Sequence, residues 1–115
     1  MSNIQIFGTN KCQHTRAAMR FFKERRVAFH FVDLAEKELS PGEFESVKRA
    51  VGLENMLDRE GREAQKQQLQ YQRFDIEAVL KRNPKLLRTP IVREGKNATT
   101  GYQPEVWITW IGGIK

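Results

Sequence analysis

Near the N-terminus, the spacing of apolar residues changes from a strand period to a helix period and back again. Residues 3–7 alternate apolar and polar side chains, which predicts a short strand. Residues 12–26 carry apolar side chains at helical spacing and end in a cluster of Lys and Arg, which predicts a helix of about four turns. Residues 27–34 are rich in branched and aromatic side chains, which predicts a second strand, parallel to the first. The phenylalanines of this β-α-β unit are expected in the core: Phe21, Phe22, Phe29 and Phe31.

The middle of the chain, about residues 41–83, is predicted to be a helical insertion. The motif SPGE combines a capping box with a proline at the first helical position, which predicts a helix over 41–51. Residues 53–73 lack clean periodicity, which favours short helical pieces and an exposed loop. Helical spacing returns after Asp75, a residue type that caps helices, and stops at Pro84.

The C-terminal part is predicted to hold a β-hairpin and a final helix. Strands near 90–93 and 98–101 flank a turn that begins at Gly95, and the helix begins at Pro104. The helix places two aromatic residues on one face, where we expect them to pack on the sheet: Trp107 and Trp110.

The element order β-α-β-α-(loop)-α-β-β-α predicts an α/β protein with one domain over residues 1–115. It is the order of a thioredoxin-like fold, in which β-α-β and ββα units share a mixed four-stranded sheet. The helical subdomain is then an insertion between these two units. A chain of 115 residues is too short for two domains of ordinary size.

Composition and charge narrow the class of protein. Hydrophobic residues make up 39% and charged residues 30%, which excludes a disordered chain. No apolar run reaches the roughly 20 residues of a membrane helix, and no secretion signal is visible, so we expect a cytoplasmic protein without membrane contact. The net charge of +6 favours an anionic ligand or partner. The basic residues form no dense run, which argues against DNA as the partner.

Cys12, the only cysteine, is the candidate for chemistry. The first turn of a helix favours a thiolate through its free N–H groups and its dipole. Thr15 and Arg16 follow at helical spacing, the first as a hydroxyl donor to sulfur and the second as a fixed positive charge, and Lys11 precedes the cysteine. A small buried cysteine is the alternative interpretation. His14 is interpreted as a surface residue, since a metal site needs more ligands than this chain offers there.

Three stretches resemble the arsenate reductase family, thioredoxin-fold proteins that include the Spx transcription regulators. They are IQIFGTNKC leading into CQHTR, LLRTPIV late in the chain, and TTGYQPEVW near its end. The resemblance covers nearly the whole chain. It implies that Pro90 is a cis-proline that faces Cys12 across the active site. The Spx branch carries a second cysteine where this chain has Thr15, so a disulfide switch within one chain is excluded.

The sequence departs from the family at the positions that bind the substrate oxyanion. Three arginines bind it in the arsenate reductases, and the matching positions here are Glu60, Thr89 and Gln103. Losing three guanidinium contacts argues against arsenate as the substrate. Arg59 and Arg88 lie one residue away, but on a strand such a shift points a side chain to the opposite face. The candidate substrate-binding residues are Lys11, Thr89, Pro90, Arg88 and Arg59.

Two functional hypotheses follow, with a third that the sequence favours less. In the first, the chain is a thiol-dependent reductase with catalytic residues Cys12, Thr15 and Arg16. It would use no metal or bound cofactor, and an external thiol such as glutathione, or a glutaredoxin-like protein, would resolve the adduct. In the second, it is a non-catalytic Spx-like module that binds a protein such as RNA polymerase. The third is DNA binding, for which no recognition motif is visible.

Overall fold

A mixed four-stranded sheet forms the centre of the computed structural model, which describes residues 4–69 and 73–111. The strands are β1 (Ile4–Gly8), β2 (Phe29–Asp33), β3 (Ile91–Glu94) and β4 (Asn97–Thr100). Their order across the sheet is β2-β1-β3-β4. β1 pairs with β2 in parallel, whereas β3 is antiparallel to both β1 and β4. The predicted mixed sheet is confirmed.

Helices cover both faces of the sheet. In the described residues they are α1 (Gln13–Glu24), α2 (Pro41–Val51), α3 (Leu53–Met56), α4 (Arg62–Lys66), α5 (Ile76–Arg82) and α6 (Pro104–Trp110). The predicted capping box at the start of α2 is present: Ser40 Oγ accepts from the Glu43 N–H at 3.1 Å, and Glu43 Oε1 accepts from the Ser40 N–H at 2.8 Å. Asp75 caps α5 as predicted, and a 3₁₀ turn follows that helix.

Alternation along β1 divides the core into two clusters. Ile4 and Ile6 point to one face, where they pack with Phe22 of α1 and Trp107 of α6. Phe7 points to the other face, into the cluster that α2 to α5 cover. The strand is therefore buried on both sides, and its carboxyl end holds the start of α1 in a fixed place.

Several element boundaries differ from the predictions. α1 begins after Cys12, which is its N-cap, and ends early because Arg26 takes a left-handed conformation with φ 56°. The Val27 N–H donates to the Phe22 carbonyl at this end of the helix. β2 therefore begins two residues later than expected. β4 ends before Gly101, whose φ of 78° turns the chain away from the sheet.

Two predicted segments extend beyond the described residues. In addition, two residues predicted to lie in the core are on an edge strand. Residue 3 of the first predicted strand and residues 70–72 of the predicted loop lie outside the described part. Phe29 and Phe31 are only partly buried against the core, because β2 is an edge strand.

Trp107→Phe tests the anchoring of α6 on the sheet. Trp107 is fully buried and its Nε1 donates to Thr99 Oγ1 at 2.8 Å. Removing the donor leaves a buried hydroxyl without this partner, and we expect the free energy of unfolding to fall by about 1–3 kcal/mol. Urea denaturation measures the loss. Thr99→Val should cost less in the Trp107→Phe background than in the wild type, and equal costs would show that the hydrogen bond contributes nothing.

Candidate active site around Cys12

The loop after β1 sets Cys12 at the N-terminal end of α1. The Cys12 N–H donates to the Thr9 carbonyl at 3.1 Å, and the Cys12 carbonyl accepts from the N–H of Arg16 at 3.1 Å. Cys12 keeps an extended backbone, with φ −82° and ψ 118°, and its side chain does not cap the helix. The Cys12 side chain is partly exposed.

Thr89 is the partner of the sulfur. Its Oγ1 donates to Cys12 Sγ at 3.1 Å, although the two residues are 77 positions apart in sequence. The Thr89 carbonyl lies 3.9 Å from the same sulfur and accepts weakly from the thiol. The Thr89–Pro90 peptide bond is cis, as the family resemblance implied.

Hydrogen-bond donors shift the thiol toward its ionised form. Burial raises the pKa of Cys12, but hydrogen bonds from the side chains of Thr15 and Thr89 and from the backbone of Thr15 and His14 outweigh it, so that the pKa is lowered. Thr15 is fully buried, and its Oγ1 has no hydrogen-bond partner of regular geometry among the described residues. That hydroxyl is thus available to a thiolate, which is the nucleophilic form of cysteine.

Arg16 stabilises the loop between β1 and α1. Its guanidinium Nη1 donates to the Asn10 carbonyl at 2.6 Å, which ties the first turn of α1 to the residues before Cys12. The leading contributions to the lowered pKa of Cys12 come from other residues. A direct effect of the Arg16 charge on the thiolate stays a prediction.

A groove of about 800 Å³ lies next to residues that flank Cys12, although Cys12 itself is not among its lining residues. Lys11 and Thr89 line it, together with residues 33–38, which begin at the last residue of β2, and residues 83–85 after α5. Both signs of charge are present among its lining side chains, which include Lys11, Lys37, Lys85, Asp33, Glu36 and Glu38. The groove therefore suits a ligand that itself carries both carboxylates and an ammonium group.

The two arginines proposed from the sequence lie elsewhere. Arg59 is paired with Glu54, at 2.7 Å and 3.0 Å, and is not among the described residues that line the groove. Arg88 lines a separate cavity of about 330 Å³ with Thr100 and Gln103. Neighbouring side chains of an extended segment point in opposite directions. The Arg88 side chain therefore points away from the Cys12 sulfur, whereas that of Thr89 points toward it. Their roles in substrate binding stay predictions.

Sequence reasoning missed two contacts of the site. Thr89 was expected to touch substrate, and its contact with the sulfur could have been found only from its place next to Pro90. Tyr102, 43% exposed, packs its ring near that of His14, with centroids 6.5 Å apart and planes inclined by 28°. No pattern in the sequence singles out Tyr102.

Neither a metal site nor a membrane-spanning helix is found in the described part of the chain. No three His, Cys, Asp or Glu side chains are grouped there in a way that could hold a metal ion. Within residues 4–69 and 73–111, no helix is both long and apolar enough to cross a membrane.

Comparison with known proteins gives a family and a fold. The ArsC family model matches residues 7–109. No curated protein sequence matches the chain. Among solved structures, the YFFB protein has a TM-score of 0.82 at 18% identity, over 93% of this chain and 97% of its own. An arsenate reductase from Vibrio cholerae has a TM-score of 0.77 at 19% identity, over 94% and 97%.

A third solved structure confirms the fold class. The glutaredoxin from Archaeoglobus fulgidus has a TM-score of 0.51 at 20% identity, over 98% of this chain and 89% of its own. Together with the sheet order, these similarities confirm the predicted thioredoxin-like α/β fold.

Thr89→Val and Thr15→Val test the source of the low thiol pKa. Each removes a hydroxyl donor to Cys12 and keeps the side-chain shape, so each should raise the pKa of Cys12. The pH dependence of Cys12 alkylation measures it: the rise in rate should move to higher pH in both variants. Thr109→Val is the matched control, because Thr109 is exposed and bonds within α6. Unchanged profiles for Thr89→Val and Thr15→Val would contradict the assignment.

Proposed function

The chain belongs to the ArsC family, and from this premise we propose that it is an oxidoreductase in which a Cys12 thiolate attacks an oxidised sulfur substrate and an external thiol completes the cycle. The observation that carries the proposal is the hydrogen bond from Thr89 Oγ1 to Cys12 Sγ. Cysteine needs a lowered pKa to be ionised at neutral pH, and donors that converge on the sulfur supply this.

The chemistry is thiol–disulfide exchange. The Cys12 thiolate attacks the glutathione sulfur of a mixed disulfide; the new S–S bond forms as the old one breaks, and the other thiol leaves as a thiolate that takes a proton from water. A glutathione thiolate then attacks the Cys12 adduct, which releases glutathione disulfide and restores the Cys12 thiolate. One mixed disulfide is reduced to a thiol, and one free glutathione is oxidised. Since the chain has one cysteine, the second thiol must come from another molecule.

The groove beside Cys12 supports glutathione as that thiol. Glutathione carries two carboxylates and one ammonium group at neutral pH. Lysines on the groove can meet the carboxylates, and acidic side chains from the segment after β2 can meet the ammonium group. Asp33 already accepts from the Ala35 N–H, which leaves Glu36 and Glu38 as the freer acceptors.

The residues at the three oxyanion positions do not favour arsenate. Glu60 is exposed and carries the wrong charge. Thr89 uses its hydroxyl on the sulfur, and the Gln103 side chain donates to the Thr100 carbonyl at 3.3 Å. A fixed guanidinium is the group that binds an oxyanion through paired hydrogen bonds, and none of these side chains replaces it.

Cys12→Ser and Lys11→Ala/Lys37→Ala test the proposal with the mixed disulfide of glutathione and 2-mercaptoethanol. Formation of glutathione disulfide, followed through glutathione reductase, should fall to the uncatalysed rate in Cys12→Ser. The double lysine variant should raise KM for glutathione by about two- to tenfold, since partly exposed ion pairs are worth up to about 1 kcal/mol each. Lys96→Ala, in the hairpin turn at the far end of β3, is the matched control.

A wild-type rate no faster than the uncatalysed reaction would contradict the enzyme and favour the non-catalytic binding module. A Cys12→Ser variant as active as the wild type would also contradict it.

Arsenate provides a separate test of substrate class. With arsenate in place of the mixed disulfide, we expect wild type and Cys12→Ser to give the same background rate, because the site lacks the fixed guanidinium groups. An arsenate-dependent rate that disappears in Cys12→Ser would show that the chain reduces arsenate after all.

A further inference from the structure

The groove beside Cys12 continues into a second, smaller cavity of about 160 Å³. Three residues line both of them: Glu38, Pro84 and Leu87. Lys11 and Thr89, which flank the thiol, line the groove but not the smaller cavity. A ligand in the groove therefore has Cys12 near one part of it and the smaller cavity beside another.

The walls of the smaller cavity are mainly apolar. Phe44 of α2 and Leu80 of α5 belong to the buried core. The two charged lining residues, Glu38 and Lys81, are exposed and keep their charges in contact with water. We call it the apolar cavity after the rest of its lining: Leu39, Pro41, Phe44, Leu80, Pro84 and Leu87.

The size of the apolar cavity suits one ring or one branched alkyl group. A closed apolar cavity of about 150 Å³ is large enough to bind benzene. Glutathione carries carboxylates, an ammonium group, amides and a thiol on short methylene chains, so it has no apolar group of this size. The apolar cavity therefore suits a different part of the substrate.

One extended segment connects the apolar cavity with the sulfur. Leu87 has an extended backbone, with φ −68° and ψ 138°. Every second side chain of an extended segment lies on the same side, so Leu87 shares the side on which Thr89 donates to Cys12 Sγ. Two residues of extended chain span about 7 Å. The mouth of the apolar cavity is thus within reach of a group carried by a sulfur next to Cys12.

We propose that the apolar cavity binds the second half of the mixed disulfide, an aromatic ring or a branched alkyl group on the thiol that leaves. The inference rests on the proposed function, because it places the glutathione half in the groove beside Cys12. The Cys12 thiolate attacks the glutathione sulfur in line with the S–S bond, so the leaving sulfur lies on the far side from Cys12. As that bond breaks, the apolar thiol leaves as a thiolate and takes a proton from water. The preferred substrate class is a mixed disulfide of glutathione with an aromatic or branched alkyl thiol.

Thioethers of glutathione test this binding apart from catalysis, because they have no S–S bond for Cys12 to attack. S-benzylglutathione carries a ring on the glutathione sulfur, and S-methylglutathione is the matched ligand without the ring. Isothermal titration calorimetry with the wild type should give a Kd about tenfold lower for the benzyl derivative. This is the lower end of the discrimination that added apolar atoms give in a hydrophobic pocket.

Leu39→Ser tests whether the ring lies in the apolar cavity. Leu39 is partly buried, and the substitution replaces an apolar wall with a hydroxyl. The preference for the benzyl derivative should fall by about threefold or more, with the Kd of S-methylglutathione unchanged. Leu53→Ser is the matched control, because Leu53 is also partly buried against the same core cluster and lines neither cavity. Should Leu39→Ser not fold, Leu39→Ala removes most of the same contacts.

The outcomes separate this inference from the proposed function. Equal affinities of the wild type for the two thioethers overturn the role of the apolar cavity and leave the exchange reaction standing. A benzyl preference that Leu39→Ser or Leu39→Ala leaves unchanged overturns it too, since the ring then lies elsewhere. If neither thioether binds, glutathione as the ligand of the groove fails together with the apolar cavity. If the preference falls as expected and the exchange assay shows no catalysis, the proposed reaction alone fails.

Discussion

The hydrogen bond from Thr89 to the sulfur of Cys12 depends on the register of the central strands. β1 and β3 are antiparallel and pair Phe7 with Ile91, so the residues after β1 and those before β3 meet at the same end of the sheet. Two residues 77 positions apart thereby come within 3.1 Å. A shift of the β1–β3 register would separate them, because successive side chains of a strand alternate between faces.

The thiolate site is built mainly from uncharged donors. Hydroxyls of Thr15 and Thr89 and backbone N–H groups at the start of α1 supply the leading interactions that lower the pKa of Cys12. The Thr89 hydroxyl donates to the sulfur and so acts on the attacking group itself.

The fold was more predictable from the sequence than the site, because the evidence for it is local. Helix caps such as Ser40 and Asp75 act within a few residues, and both predicted caps are present in the structure. The Thr89 contact and the turning away of Arg88 depend on strand register and on neighbours distant in sequence.

The neutral character of the donors around Cys12 has a consequence for the conditions under which the thiolate persists. Interactions between exposed charges weaken as salt screens them, with a Debye length of about 8 Å at physiological ionic strength. Short hydrogen bonds from buried or half-buried hydroxyls are screened much less. A cysteine activated by such donors keeps its reactivity across changes in ionic strength that would weaken a thiolate held by a lysine or an arginine. Binding of a charged ligand in the groove and activation of the sulfur therefore respond to salt independently.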